Sequence, residues 1–371
     1  MMMFPEDYLY ILALRQCKNI GNTNLRKLIQ TRGSARAVWE SPKKSLQAIS
    51  GIGTAIVQDI GKKELLLTAE KELQFCEKKA IRIISQNDLD YPKHLNHCDD
   101  APLLLFCKGP IDNQINNISI VGTRKLTAYG RQFIQDLLAE LSGSNVATVS
   151  GLALGADTCV HEETLKHRLP TVAVMAQSLD KVYPASNKNL VRRILDNGGA
   201  MLSEYATFDG SSKEYFLQRN RIIAGLSPQL VVVETAYGGG SVTTVTAANN
   251  YNRDVYALPG KITDIYSQGC NHLIAANKAA AIVNVKSLID SLNLAVQPEL
   301  FPQEKPKIRL PADKEEHQKI LDILDYEKPY TLDEIAEKTN ILHHKLLPIL
   351  LDLEIYGCIK CLSGRQYLRN Y

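Results

Sequence analysis

Residues 118–130 read ISIVGTRKLTAYG, residues 148–157 read TVSGLALGAD, and residues 231–241 read VVVETAYGGGS. Each stretch opens with a short apolar run and breaks at a turn built from glycine, threonine or serine. A short, wholly apolar run bounded by turn residues is the pattern of a strand buried on both faces of a parallel sheet. In an open α/β sheet the turns at the carboxyl ends of the strands share one edge, and ligands bind in the crevice there. Here those turns bring backbone N–H groups, hydroxyls and an arginine to that edge. That chemistry suits an anion, a phosphate chain above all.

Working outward, strands are expected at 81–84, 103–106, 118–121, 147–150, 171–175, 200–203, 230–233, 255–258 and 281–283, with helical patterns between most of them. Strand–helix alternation implies parallel neighbours joined by right-handed crossovers. Residues 80–292 are therefore read as an α/β domain with a Rossmann-like, doubly wound, mostly parallel sheet. Residues 1–79 read as all-α, punctuated at Asn19-Ile20-Gly21 and Gly51-Ile52-Gly53, and the second turn resembles a helix-hairpin-helix or SAM-like arrangement. Such a turn can hold a DNA phosphate at the next helix N-terminus, or can simply join two packed helices. Residues 293–313, with Pro298, Pro302, Pro306 and Pro311 among charges, read as a linker. Residues 314–371 read as three helices and a hairpin, the winged-helix plan. Its third helix is rich in leucine and acid and poor in the arginines, asparagines and lysines that read a major groove. A protein-contact or regulatory role fits it better than base readout.

The bulk numbers set few limits. The chain has 371 residues, 45% of them hydrophobic and 22% charged, with a net charge of +3. Its length suits two or three domains of ordinary soluble composition. The mild charge neither demands nor excludes nucleic acid, because a local patch matters more than the total. Eight cysteines are scattered, Glu6 and Asp7 precede the first apolar run, and no stretch reaches membrane-spanning length. A cytoplasmic protein with reduced thiols and no membrane contact is expected. Cys358-x-x-Cys361 has the spacing of half a zinc site but lacks a second pair, so no metal is expected.

The candidate site residues follow from the turns. Gly122 lets the backbone turn close to a ligand, Thr123 offers a hydroxyl, and Arg124 gives a planar fork for phosphate or base. Ser150, Gly151, Leu152 and Gly155 repeat the arrangement one strand on. Asp157 and His161, four apart on the following helix, form either an acid/base pair or a buried pair that fixes the turn; without a nucleophile beside them, the structural reading is favoured. Lys188 can extend a phosphate track. Phe216 can stack on a base or pack in the core. Arg219, Asn220 and Arg221 follow, and in an extended segment the two arginines face one side; the alternative is that one of them pairs with a carboxylate such as Glu204 or Glu234. Gly239, Gly240 and Ser241 close the set. Neither a P-loop motif nor the GxGxxG fingerprint is present, so ATP hydrolysis and dinucleotide binding are unsupported.

In order along about two hundred residues stand IVGTRxxxxYG, SGLAxGAD, YPxxNxxL, SEY, RNRIIAGLS, GGGS and VYALPG. This series resembles the DNA-processing protein A family, also called DprA or Smf. The resemblance implies a non-enzymatic, cofactor-free protein that binds single-stranded DNA through the pocket containing Arg124. It also implies protection of incoming strands, loading of the RecA recombinase during natural transformation, and a homodimer. Ala176-Gln177-Ser178 and Cys159-Val160 depart from the family pattern and leave the detail of the pocket wall open. The alternative is a nucleotide-binding or phosphoribohydrolase-like enzyme on the same fold, whose PGGxGTxxE loop the Gly238–Ser241 turn resembles. No acidic residue lies between Thr235 and Arg253, so that enzyme's glutamate has no counterpart.

Overall fold

The computed structural model describes residues 4–292, 315–325, 328–355, 358–362 and 366–369. The expected linker, 293–313, lies outside them, as does the turn Ser363-Gly364-Arg365. Nine strands build one sheet: β1 (Arg82–Ser85), β2 (Leu104–Lys108), β3 (Asn116–Val121), β4 (Val146–Ser150), β5 (Thr171–Val174), β6 (Ala200–Ser203), β7 (Gln229–Val232), β8 (Asp254–Ala257) and β9 (Ala280–Ala281). Their order is β1-β2-β6-β5-β4-β3-β7-β8-β9. From β6 to β9 every neighbouring pair is parallel. β1 and β2 add antiparallel strands at the edge beside β6. Between β1 and β2 the only helix is Lys93–Asn96, too short for a parallel crossover, and these two strands are the antiparallel minority of a mostly parallel sheet. The last strand is also shorter than expected: Ile282 is buried beyond it, and Val283 is exposed.

The central strands are buried because helices cover both faces. Ile118 and Ile120 of β3 point into one apolar layer with Phe133, Ile134, Leu137 and Leu138 of the Ala128–Glu140 helix. Val121, Val149 and Val232 point to the other, against Ile222 and Ile223. The Ala128–Glu140 helix starts at Thr127, whose Oγ1 accepts the Gly130 N–H at 3.3 Å.

The N-terminal helices are continuous in core with the sheet. Leu12, Leu25, Leu28, Trp39 and Leu73 pack in one cluster with Ile83, Leu104, Phe106 and Ala206. Residues Met1–Ala295 form one compact unit. In the Gly51-Ile52-Gly53 turn Ile52 is buried, and the helix that follows, Thr54–Val57, has four residues.

The second unit, Val296–Tyr371, carries helices Glu315–Ile323, Leu332–Thr339 and His343–Ile355. Three strands, β10 (Tyr330–Thr331), β11 (Ile359–Leu362) and β12 (Gln366–Arg369), pair antiparallel in the order β10-β12-β11. Ile320, Ile335, Leu346, Leu350, Leu353 and Tyr367 form its core. A capping box, Thr331 with Glu334, starts the middle helix. Among the described residues no helix is long and apolar enough to cross a membrane.

Candidate nucleic-acid interface

From β3 the chain runs outward through β4, β5 and β6, then returns to place β7 on the other side of β3. The turns after β3 and β7 thus lead away in opposite directions and leave a crevice between them. A cavity of about 410 Å³ occupies it, walled by Gly122–Lys125 after β3, Ala153 and Asp157 after β4, and Thr235, Ala236 and Gly239–Ser241 after β7. The Glu214–Gly225 helix supplies Phe216, Leu217, Arg219 and Asn220, and Tyr266 completes the lining.

The turns are tied to each other. Ser241 Oγ donates to the Gly122 carbonyl at 3.0 Å. The Ala156 N–H donates to the Thr123 carbonyl at 3.0 Å, and the Lys125 N–H to Thr123 Oγ1 at 3.1 Å. Gly155 has φ +83°, and a Cβ there would sit 2.4 Å from the Thr123 carbonyl oxygen, so only glycine lets the second turn close on the first. Asn220 Nδ2 donates to Thr243 Oγ1 at 3.0 Å and to the Gly240 carbonyl at 3.3 Å, which anchors the glycine-rich turn to the helix wall. Glu234 is buried behind it, accepting from the Thr127 N–H at 3.0 Å and from Thr127 Oγ1 at 2.5 Å.

Two arginines line the cavity in different states. Arg124 is exposed, makes no ion pair among the described residues, and sits 5.9 Å over the Phe216 ring. Arg219 is 4% exposed. Its Nη1 donates to the carbonyls of Gly151, at 2.5 Å, and Val174, while its Nε has no acceptor. A Cβ on Gly151 would meet that guanidinium at 2.7 Å. Burial pushes the Asp157 carboxyl above its usual range, opposed by the Arg219 charge; burial also pushes Arg219 down. The floor is thus a buried cation fixed to carbonyls, and the mouth carries a free cation stacked on an aromatic ring.

Several expected residues stand elsewhere. Arg219 and Arg221 lie on a helix, where two residues span about 200°, and not on an extended segment. Arg221 consequently faces away from the cavity. Its Nη2 pairs with Glu204, its Nη1 donates to the Asp100 carbonyl at 2.6 Å, and its Nε lies 3.7 Å from Asp100 Oδ2. Ser150 is fully buried, donating to the Ile120 carbonyl at 2.7 Å across the β3/β4 pair. Leu152 is likewise in the core. Gly151 and Gly155 shape the turn without lining the cavity. Asp157 and His161 are not partners of each other: Asp157 accepts the Ala153 N–H at 3.1 Å, and His161 Nδ1 lies 2.7 Å from Thr171 Oγ1. Burial, reinforced by Arg219, pushes His161 down to about 3.

Lys188 belongs to a second cleft of about 690 Å³, lined also by Lys181, Tyr183, Ser212, Lys213 and Phe216. Phe216 is the wall shared with the first cavity, and the Tyr183 ring meets it edge-on at 5.5 Å. Lys181, Tyr183 and Lys213 escaped the sequence reading. Lys213 stands three residues before Phe216, a spacing that a helical reading of the segment would have placed beside it. Among the described residues no cluster of three or more His, Cys, Asp or Glu side chains could hold a metal. Cys358 is buried and Cys361 exposed.

Residues 82–293 match the family described as DNA recombination-mediator protein A, and residues 304–365 match the DprA winged helix domain. Protein Smf from Synechocystis sp. is 29% identical over 99% of this chain and 100% of its own length. The X-ray structure of DNA processing protein A from Streptococcus pneumoniae, 31% identical, covers 76% of this chain and 97% of that one with a TM-score of 0.65. A structure of DNA processing protein A from Helicobacter pylori, 30% identical, covers 57% of this chain and 95% of that one with a TM-score of 0.51, and is described for its single-stranded DNA binding mode.

Proposed function

The chain belongs to the DNA recombination-mediator protein A family, and from that premise we propose that it binds single-stranded DNA in the cavity between the turns after β3 and β7. The observation that carries this reading is the pairing of Arg124 with Phe216 at the cavity mouth, a cation and an aromatic face with no other charged partner among the described residues. A strand can lay a phosphate against Arg124 and the backbone amides of the glycine turns and stack a base on Phe216. A crevice this narrow admits an unstacked base and not a duplex, which gives the preference for single strands. The Helicobacter pylori relative supports the same ligand. Lysines 181, 188 and 213 extend the track past Phe216.

On this reading the protein binds and does not catalyse. The carboxylates at the site are engaged, Asp157 with the Ala153 amide, Asp180 of the second cleft with the Ser178 hydroxyl, and Glu234 behind the turns with Thr127. Protection of incoming strands in the cytoplasm, loading of RecA, action in natural transformation and recombination, and a homodimer are what the family implies for this chain. The test is binding of labelled single-stranded and duplex oligonucleotides across a salt series, with wild type and Arg124→Glu. A strong single-strand preference that Arg124→Glu abolishes supports the reading. Equal or negligible binding of both forms defeats it.

A further inference from the structure

The chain between β6 and the Glu214–Gly225 helix forms the wall of the cleft, since Ser211, Ser212 and Lys213 line it next to Phe216. The N-terminal helices hold this loop by one buried and one half-buried set of polar contacts. Glu72, on the Lys63–Lys78 helix, is 3% exposed, and its carboxylate accepts the Thr207 N–H at 3.1 Å and the Thr207 hydroxyl. Arg15, at the end of the Glu6–Arg15 helix, donates through Nη2 to the Glu204 carbonyl at 2.6 Å and to Asp209 Oδ2 at 3.2 Å. Asp209 passes the constraint on: its carboxylate also accepts the Ala206 N–H at 2.7 Å, and its carbonyl accepts the Tyr215 hydroxyl at 3.2 Å. Tyr215 stacks on Tyr205 at 4.2 Å, one residue before Phe216. Ala206 sits in the N-terminal core itself, and Phe208, half-buried, packs against it.

A buried carboxylate kept for a loop amide is costly unless the contact it makes has a use, because an apolar side chain there would avoid the desolvation. We propose that Glu72 and Arg15 are positioning residues for DNA binding: the N-terminal helices act on the strand by bracing the 204–213 loop, which sets where Lys213 and Phe216 stand, and not by touching DNA. This inference rests on the assignment of the cleft to single-stranded DNA.

The full chain carrying Glu72→Ala, and separately Arg15→Ala, is compared with wild type by amide hydrogen exchange over 206–213 and by oligonucleotide affinity at one salt concentration. Arg15→Ala reaches the same loop from a different helix and leaves Glu72 in place, so a folding failure of one variant does not decide the matter. Each substitution is expected to speed exchange in the loop and to weaken binding about fivefold, an effect that shrinks below about twofold in a Phe216→Ala background. Glu72→Gln, which keeps an acceptor for the Thr207 amide, is expected to recover most of the affinity. Faster exchange with unchanged affinity overturns the brace and leaves the cleft assignment standing, as do losses that simply add to that of Phe216→Ala. Absence of single-strand binding in the wild type overturns the cleft assignment first, and the brace with it.

Discussion

The sheet-edge cleft and the third helix of the winged-helix unit are both places where their folds commonly receive nucleic acid, and they are built differently. The cleft sets an unpaired Arg124 over an aromatic ring, keeps a buried Arg219 behind it, and gathers three lysines beyond Phe216. The His343–Ile355 helix exposes Leu347 and Leu351, one turn apart, with Leu342 just ahead of it. An apolar stripe of that kind offers a phosphate backbone nothing. Architecture decides where a ligand can sit, and the side chains decide which ligand it is.

The largest test of that contrast is Arg124→Glu, expected to weaken single-strand binding by about 30-fold or more at low salt. It should also reduce the log–log salt slope by about 0.7 for the lost phosphate contact. An unchanged slope would take Arg124 off the phosphate track. Next in size, Phe216→Ala is expected to cost about tenfold in affinity, the worth of one stacked base, with little change in slope. Unchanged affinity and unchanged slope would make Phe216 a packing residue. Removal of residues 314–371 is expected to change affinity less than about threefold, since every residue lining the cleft lies in the first unit. Loss of binding in a truncated chain that still folds would move the site to that unit and reverse the comparison.

Acid sharpens the contrast from the side of stability. Burial, with Arg253 beside it, pushes His94 down to about 4, and burial with Arg219 pushes His161 down to about 3. Both imidazoles are neutral in the fold, while the unfolded chain takes up protons near pH 6.5. Their contribution is therefore complete above pH 6.5 and is lost as the pH falls toward those lower values, at up to about 1.4 kcal/mol per pH unit for the fully buried His161 and less for the half-buried, solvent-screened His94. The raised Asp157 carboxyl acts with the opposite sign, so the clean measurement is a difference. Denaturant unfolding of His94→Gln between pH 6.5 and 4.5 should show a dependence of stability on pH shallower than that of wild type. Equal slopes would show that His94 titrates alike in both states.

Much of the site was legible because turn chemistry is local. The break of β3 at Gly122-Thr123-Arg124, and the need for glycine at 155, follow from residues a few places apart. The misreading of the two arginines has one cause. Treating 216–221 as extended put Arg219 and Arg221 on one side; the helix sends Arg219 into the cleft and Arg221 to Glu204 and Asp100. The same error hid Lys213. Ser150 and Leu152 belong to a well-placed turn, yet their burial depends on which strand lies alongside, and β4 is covered by neighbours on both sides.

By itself the sequence determined the succession of strands, turns and helices, the Rossmann-like and winged-helix character of the fold, and the family, because periodicity and turn residues are written in consecutive positions. Only the tertiary structure decided the order of strands in the sheet, the antiparallel pair at its edge, which arginine is free, and the union of the N-terminal helices with the wall of the cleft. Those outcomes rest on contacts between residues far apart in the chain, such as Glu72 with Thr207 and Arg221 with Asp100. Burial and pairing of that kind are properties of the packed chain, and no local pattern records them.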